Sequence, residues 1–148
     1  MRDEELAQKF NLAFEKLWVL HIKEEQDLID FSLTNQQQAL LILLIHNPHI
    51  TPTMLADKMG ITKSAVSQLL KKLETEGFIK KKQHVKDKRT ILVELGRKGK
   101  QYKKDIELFN RKMFEKYYSK LAPKEMENII RSFEKLVHLM EGNNKKED

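Results

Sequence analysis

The chain has no cysteine, which excludes disulfides, thiolate metal sites and thiol-based redox sensing. The reducing cytoplasm is therefore the expected compartment. Only 3 prolines and 5 glycines occur among 148 residues, too few for many tight turns, so few and long elements are expected. Long hydrophobic runs are missing as well. The longest, ALLILLI at 39–45, is far short of the roughly 18 to 20 residues that span a bilayer, so no membrane partner is expected. The first thirty residues mix acids and bases and show no apolar core before a small-residue cleavage site, so no signal peptide is expected. A Gly-rich phosphate loop, a nucleophile elbow and an HExxH motif are all lacking. The usual routes to catalysis are thereby removed, and a soluble, non-enzymatic chain is expected.

What the sequence does have is charge, unevenly placed. Charged residues make up 34% and hydrophobic residues 40%, a balance that suits amphipathic helices. The net charge of +6 conceals a local excess. Residues 77 to 104 hold 11 Lys or Arg against 2 acids, Asp87 and Glu94, so this stretch carries +9 and the remainder −3. A field concentrated in one patch favours a polyanionic partner over a generic solvated surface.

Periodicity lays out the elements. Leu6, Phe10, Ala13, Phe14, Leu17, Trp18 and His21 recur at spacings of three and four over 4–22, which predicts an amphipathic helix. Thr34 is a good cap for a second helix over 35–46, apolar almost all round and so expected to be buried. Thr51 followed by Pro52 starts a short third helix that Gly60 ends. Thr62 caps a fourth, with Val66, Leu69, Leu70 and Leu73 as its buried stripe and Gly77 as a left-handed stop. FIKKKQH and RTILVEL read as two strands joined at VKDK, with Ile91, Val93 and Leu95 on one side. A long helix from about Lys98 shows Tyr102, Ile106, Phe109, Met113 and Tyr117, and Pro123 opens a last helix. GNNKKED at 142–148 has nothing to bury and is expected to be a disordered tail.

The fold expected is mainly α with a small β-hairpin: a winged helix-turn-helix over 31–97, flanked by helices at 1–30 and 98–141. On the fourth helix the side opposite the leucines carries Ser64, Ser67, Gln68 and Lys71 at i, i+3, i+4 and i+7. Short hydroxyl and amide side chains allow close approach to base edges in a major groove and both donate and accept, whereas acids would repel phosphate. Acids occur on this helix only at its far end, Glu74 and Glu76. Thr62 and Lys63 stand at the helix start, where free amides and the positive dipole end suit phosphate, and Lys72 lies further along. Lys86, Lys88 and Arg89 sit at the hairpin tip, where arginine suits a narrow minor groove. Asp87, between them, is accounted for equally by turn chemistry alone. Together these features point to double-stranded DNA as the partner.

The order of elements, with LADKMGITKSAVSQLLKKLETEGFI followed by DKR and LGRKG, resembles the MarR family of bacterial transcriptional regulators over almost the whole length. The resemblance implies a homodimer whose first and last helices form the interface, with each recognition helix in a major groove and each wing in the adjacent minor groove. It implies that Arg89 enters the minor groove while Asp87 helps hold the wing. It also implies a regulator, most often a repressor, acting at a pseudo-palindromic operator and releasable by a small ligand. Trp18, His21 and His46 are candidate lining residues for that ligand, although their spacing suits core packing equally. Gly96 departs from the family pattern, which has threonine there, and weakens the expected cap of the helix after the wing. Dimerisation has separate support, because the apolar stripes of the terminal helices exceed what a small winged domain can cover.

The 5 histidines show no pair at i, i+4 and no cysteine companions, so neither a metal site nor a cofactor is expected. Zinc sensing, found in some relatives, lacks its His pair here. The alternative reading is a winged-helix module that binds protein or RNA without sequence-specific DNA binding. The basic wing and a recognition face free of acids weigh against it.

Overall fold

Threonine hydroxyls start three of the helices in the computed structural model, which describes residues 2–29, 32–87 and 89–147, the side chains of 143–147 excepted. The elements are α1 (Asp3–Gln26), α2 (Asn35–His46), α3 (Pro52–Met59), α4 (Lys63–Thr75), β1 (Ile79–Gln83), β2 (Ile91–Leu95), α5 (Arg97–Lys116), a 3-10 turn (Tyr118–Lys120) and α6 (Pro123–Glu147). Thr34 forms a capping box: its Oγ1 accepts from the Gln37 amide at 3.1 Å, and the Gln37 side chain accepts from the Thr34 amide at 2.9 Å. The buried Gln37 is thereby satisfied. Thr51 and Thr62 cap α3 and α4 by accepting from Met54 at 3.2 Å and Ala65 at 3.0 Å.

Glycines end α3 and α4. Gly60 (φ 65°) and Gly77 (φ 85°) are left-handed, and in each case the next residue's amide reaches back over the last turn, Ile61 to the Ala56 carbonyl at 3.2 Å and Phe78 to that of Leu73 at 2.8 Å. The chain leaves α4 with Phe78 and Ile79 buried and enters the hairpin, whose antiparallel register pairs Ile79 with Leu95 and Gln83 with Ile91.

The chain divides into two units, residues 1–109 and 110–148. In the first, Leu40, Leu41 and Leu44 of α2, Leu55 of α3, Val66, Leu70 and Leu73 of α4, Val93 of β2 and Tyr102 of α5 form one core. Each fully buried Val or Leu side chain contributes about 1.5–3 kcal/mol of transfer free energy, so Val66, Leu70 and Leu73 anchor α4 firmly. α1 buries no residue; its apolar side from Leu6 to Leu20 is about half exposed. In the second unit α6 likewise leaves Ile130, Phe133, Val137 and Met140 about half exposed. Among the described residues no helix is long and apolar enough to cross a membrane.

The structure corrects several expectations. Ile42 is 42% exposed, so α2 is not buried all round. Ile91 is exposed at the far end of its strand, beyond the core that covers Val93. Tyr117 falls just outside α5 and is exposed. The strands are shorter than expected because His84, Arg89 and Thr90 belong to the turn, held there by side-chain bonds. Residues 142–147, expected as tail, continue α6, since nothing after Gly142 breaks a helix. Asp148 lies outside the described residues.

Gly96 and Gly99 seat the start of α5 on the α4–β1 corner. A Cβ on Gly96 would stand 2.6 Å from the Gly77 carbonyl oxygen, and one on Gly99 would strike the Phe78 carbonyl and come within 2.9 Å of a Leu95 methyl. Space requires both glycines, which accounts for Gly96 where a threonine was the expected cap. The Gly96 amide donates to the Phe78 carbonyl at 2.8 Å and the Lys98 amide to that of Gly77 at 3.0 Å, while the Lys98 ammonium lies 5.8 Å from the Phe78 ring centre. Gly99→Ala is therefore expected to lower stability by about 1–3 kcal/mol in thermal unfolding. Gly142→Ala, where a Cβ meets nothing within 4 Å, should leave the midpoint unchanged or raise it. Equal effects of the two changes would contradict the tight seat.

Burial, with the Glu25 carboxylate as the smaller cause, pushes the Tyr102 phenol up from 10.0 to about 12. Folding favours the neutral phenol, so this contribution is complete below pH 10 and disappears as pH rises through about 12. In denaturant titrations the wild type should lose on the order of 2–3 kcal/mol relative to Tyr102→Phe across that window. Parallel curves would show that the phenol is not held neutral.

Candidate nucleic-acid interface

Helical periodicity decides what α4 presents. With Val66, Leu70 and Leu73 buried, Ser64, Ser67, Gln68 and Lys71 are turned to the opposite side and all four are exposed. Their side chains make no hydrogen bond or ion pair among the described residues, and neither do those of Lys63 and Lys72. The whole polar stripe is free to bond to something outside the chain. Thr62 stands differently: its hydroxyl oxygen is engaged as the helix cap, leaving its O–H to donate. Glu74, at the far end, faces β1. Its carboxylate accepts from the Lys81 amide at 3.3 Å and lies 3.9 Å from the Lys81 ammonium, which neutralises the acid nearest the stripe and ties α4 to the hairpin.

The wing turn is built by two side chains. The Asp87 carboxylate accepts from the Arg89 amide at 3.0 Å through one oxygen and from the Thr90 hydroxyl at 3.1 Å through the other. It therefore acts as a brace within the turn. The second brace escaped sequence reasoning. His84 Nδ1 accepts from the amides of Lys86 and Asp87, each at 3.2 Å, and the His84 amide donates to the Thr90 carbonyl at 2.9 Å. A histidine at a strand end followed by a turn was the available signal, but which amides it caps depends on the folded turn. Lys86 and Arg89 are exposed, with side chains free of partners among the described residues. Lys88 lies outside the described residues. On the strands Lys82 is 3.9 Å from Glu94, which offsets part of the +9 of this stretch.

The residues proposed for a ligand do not share one site. Trp18 lines a cleft of about 250 Å³ with Ile22, Glu25, Gln26, Ile29, Asn35 and Gln38. His21 instead sets its ring edge-on to Phe109 at 5.0 Å between centres, with Nδ1 3.7 Å from Glu25. His46 is exposed at the end of α2. That is roughly 12 Å along the helix axis from Gln38, the nearest α2 residue of the cleft. Among the described residues no group of three or more His, Asp or Glu is placed to hold a metal.

Residues 33–91, which span α2 to α4, the first strand and the wing turn, match the sequence model of the MarR family. The HTH-type transcriptional repressor YetL of Bacillus subtilis is 37% identical over 62 residues, 41% of this chain and 37% of its own length. The match thus spans well under half of that repressor. The uncharacterized HTH-type transcriptional regulator YfiV, also of Bacillus subtilis, is 24% identical over 140 residues, 89% of this chain and 87% of that one. Among solved structures, FabT of Streptococcus pneumoniae in complex with DNA superposes with a TM-score of 0.76 at 19% identity, over 92% of this chain and 98% of that chain. This likeness shows the fold. The exposed stripe on α4 and the braced basic wing stand within the matched segment or next to it, and over that segment the chain is similar to the MarR family.

Proposed function

We propose that this protein is a transcriptional regulator that binds double-stranded DNA in a sequence-specific manner as a homodimer, and that it represses by occluding a promoter. The observation that carries this reading is the α4 stripe: Ser64, Ser67 and Gln68 are exposed, and their side-chain donors and acceptors have no partner among the described residues. Ser64, Ser67 and Gln68 contact base edges, Lys63, Lys71 and Lys72 hold phosphates, and Arg89 of the wing enters the minor groove while Lys86 and Lys88 hold its backbone. YetL is named a repressor and FabT was solved with DNA, and both support the same reading.

A second copy is the partner for the exposed apolar sides of α1 and α6, where Phe10, Trp18 and Phe133 remain 51%, 52% and 50% exposed. Two-fold pairing would set the recognition helices about 34–36 Å apart, the spacing of successive major grooves on a pseudo-palindromic operator. The cleft beside Trp18 is the seat offered to a small effector. A regulator of this kind works in the cytoplasm.

Base reading and phosphate holding separate experimentally. Gln68→Ala should relax discrimination at one base position by about 1–3 kcal/mol. Lys71→Ala should weaken every sequence alike and flatten the slope of log affinity against log salt by about one. Titrations of the selected site and its single-base variants across salt would distinguish them, and an equal loss on specific and random duplexes for Gln68→Ala would remove its assigned role.

Sedimentation should give twice the chain mass for the wild type. Phe133→Asp should shift the population to monomer and reduce operator affinity by on the order of a hundredfold or more, because one half-site then has to bind alone. A wild type that sediments as a monomer at micromolar concentration would end the dimer reading.

A further inference from the structure

The wing turn depends on an acceptor that a single proton removes. Only an imidazole with Nδ1 unprotonated can accept the amides of Lys86 and Asp87. Once Nδ1 carries a proton it is a donor facing two donors, and both bonds are lost. What remains is the Asp87 side-chain brace on Arg89 and Thr90, with the backbone bonds from the Thr90 amide to the Asp87 carbonyl at 3.0 Å and from the His84 amide to the Thr90 carbonyl at 2.9 Å; the amides of Lys86 and Asp87 are released. The half-buried His84 stands where β1 ends; the charged residues of its own turn are Lys86, Asp87 and Arg89, and those of the paired strands are Lys80, Lys81 and Lys82 on β1 and Glu94 on β2. Lys88 adds a further charge in the sequence. Apart from Asp87 and Glu94 these groups are cationic, and Glu94 is engaged by Lys82.

We propose that His84 is a positioning residue for DNA binding: its neutral imidazole holds the wing turn and with it Arg89, and protonation releases the wing. The proposal rests on the DNA-binding reading above and adds a pH dependence to it. The sign is fixed by the bonding. The braced turn exists while the imidazole is neutral and is lost when lowering the pH protonates it. Mere addition of positive charge to the wing would do the opposite and tighten binding to DNA.

The test uses the full chain, a selected duplex and two substitutions. His84→Asn keeps a short side-chain acceptor suited to amides two and three residues on, but does not titrate. His84→Ala removes the acceptor. Between pH 7.5 and 5.5 wild-type affinity is expected to fall roughly five- to tenfold more than that of His84→Asn. His84→Ala should be weak at both pH values, and His84→Asn should restore binding close to wild type at pH 7.5. Identical profiles for the wild type and His84→Asn, or wild-type binding that tightens more than that of His84→Asn as pH falls, would overturn the proposal.

A second readout needs no DNA. In amide NMR spectra the Lys86 and Asp87 resonances should titrate together with the His84 ring in the wild type and stay still in His84→Asn. Amides that do not follow the ring would also overturn it. Moving amides in a protein that binds no duplex at pH 7.5 would leave the turn as described and overturn the DNA-binding reading instead.

Discussion

The burial of Val66, Leu70 and Leu73 in the core, with α4 packed against α3 and β1, is the constraint on which the remaining architecture depends. A helix with 3.6 residues per turn that commits those positions inward has no choice about the rest. Ser64, Ser67, Gln68 and Lys71 must face outward, and the Thr62 cap at one end and the left-handed Gly77 at the other cut the helix to the length of that face. Replacing Leu70 or Leu73 would disturb the outward stripe as well as weaken the core, so stability and the proposed recognition are coupled through one helix.

The wing is joined to this helix by backbone at close range. Gly96 and Gly99 let α5 start against the Gly77 and Phe78 carbonyls, and Glu74 ties the end of α4 to Lys81 on β1. The hairpin thus leaves the core in a fixed direction, and its tip is shaped by His84 and Asp87 instead of by a glycine turn. Electrostatics then act on a shaped element. The concentrated positive charge of residues 77–104 attracts phosphate at long range, while the turn determines where Arg89 is presented.

Features governed by local chemistry could be read directly from the sequence. Thr34, Thr51 and Thr62 as caps and Gly60 and Gly77 as stops are decided by neighbours within one turn, and α2 was bounded at 35–46 for that reason. The outward stripe of α4 followed from spacing alone. Features decided across the chain were hidden. The acceptor role of His84, the pairing of Glu74 with Lys81 and the space that only Gly99 can occupy depend on which backbone groups arrive nearby. Trp18, His21 and His46 were grouped because their residue types suit a pocket, yet α2 carries His46 away from the cleft beside Trp18. Apolar spacing gave the stripes of α1 and α6, which stay about half exposed in the single chain, and their excess over a small winged domain pointed to a second copy.

Exposed stripes on long helices, a free recognition face and a braced basic wing combine into one account, a dimer that reads two half-sites. The most direct test is selection of bound sequences from a random duplex pool with the purified protein. The account predicts enrichment of an inverted repeat with half-sites about one helical turn apart, bound with a steep dependence on salt. No enriched sequence, with only weak binding that salt abolishes, would contradict it.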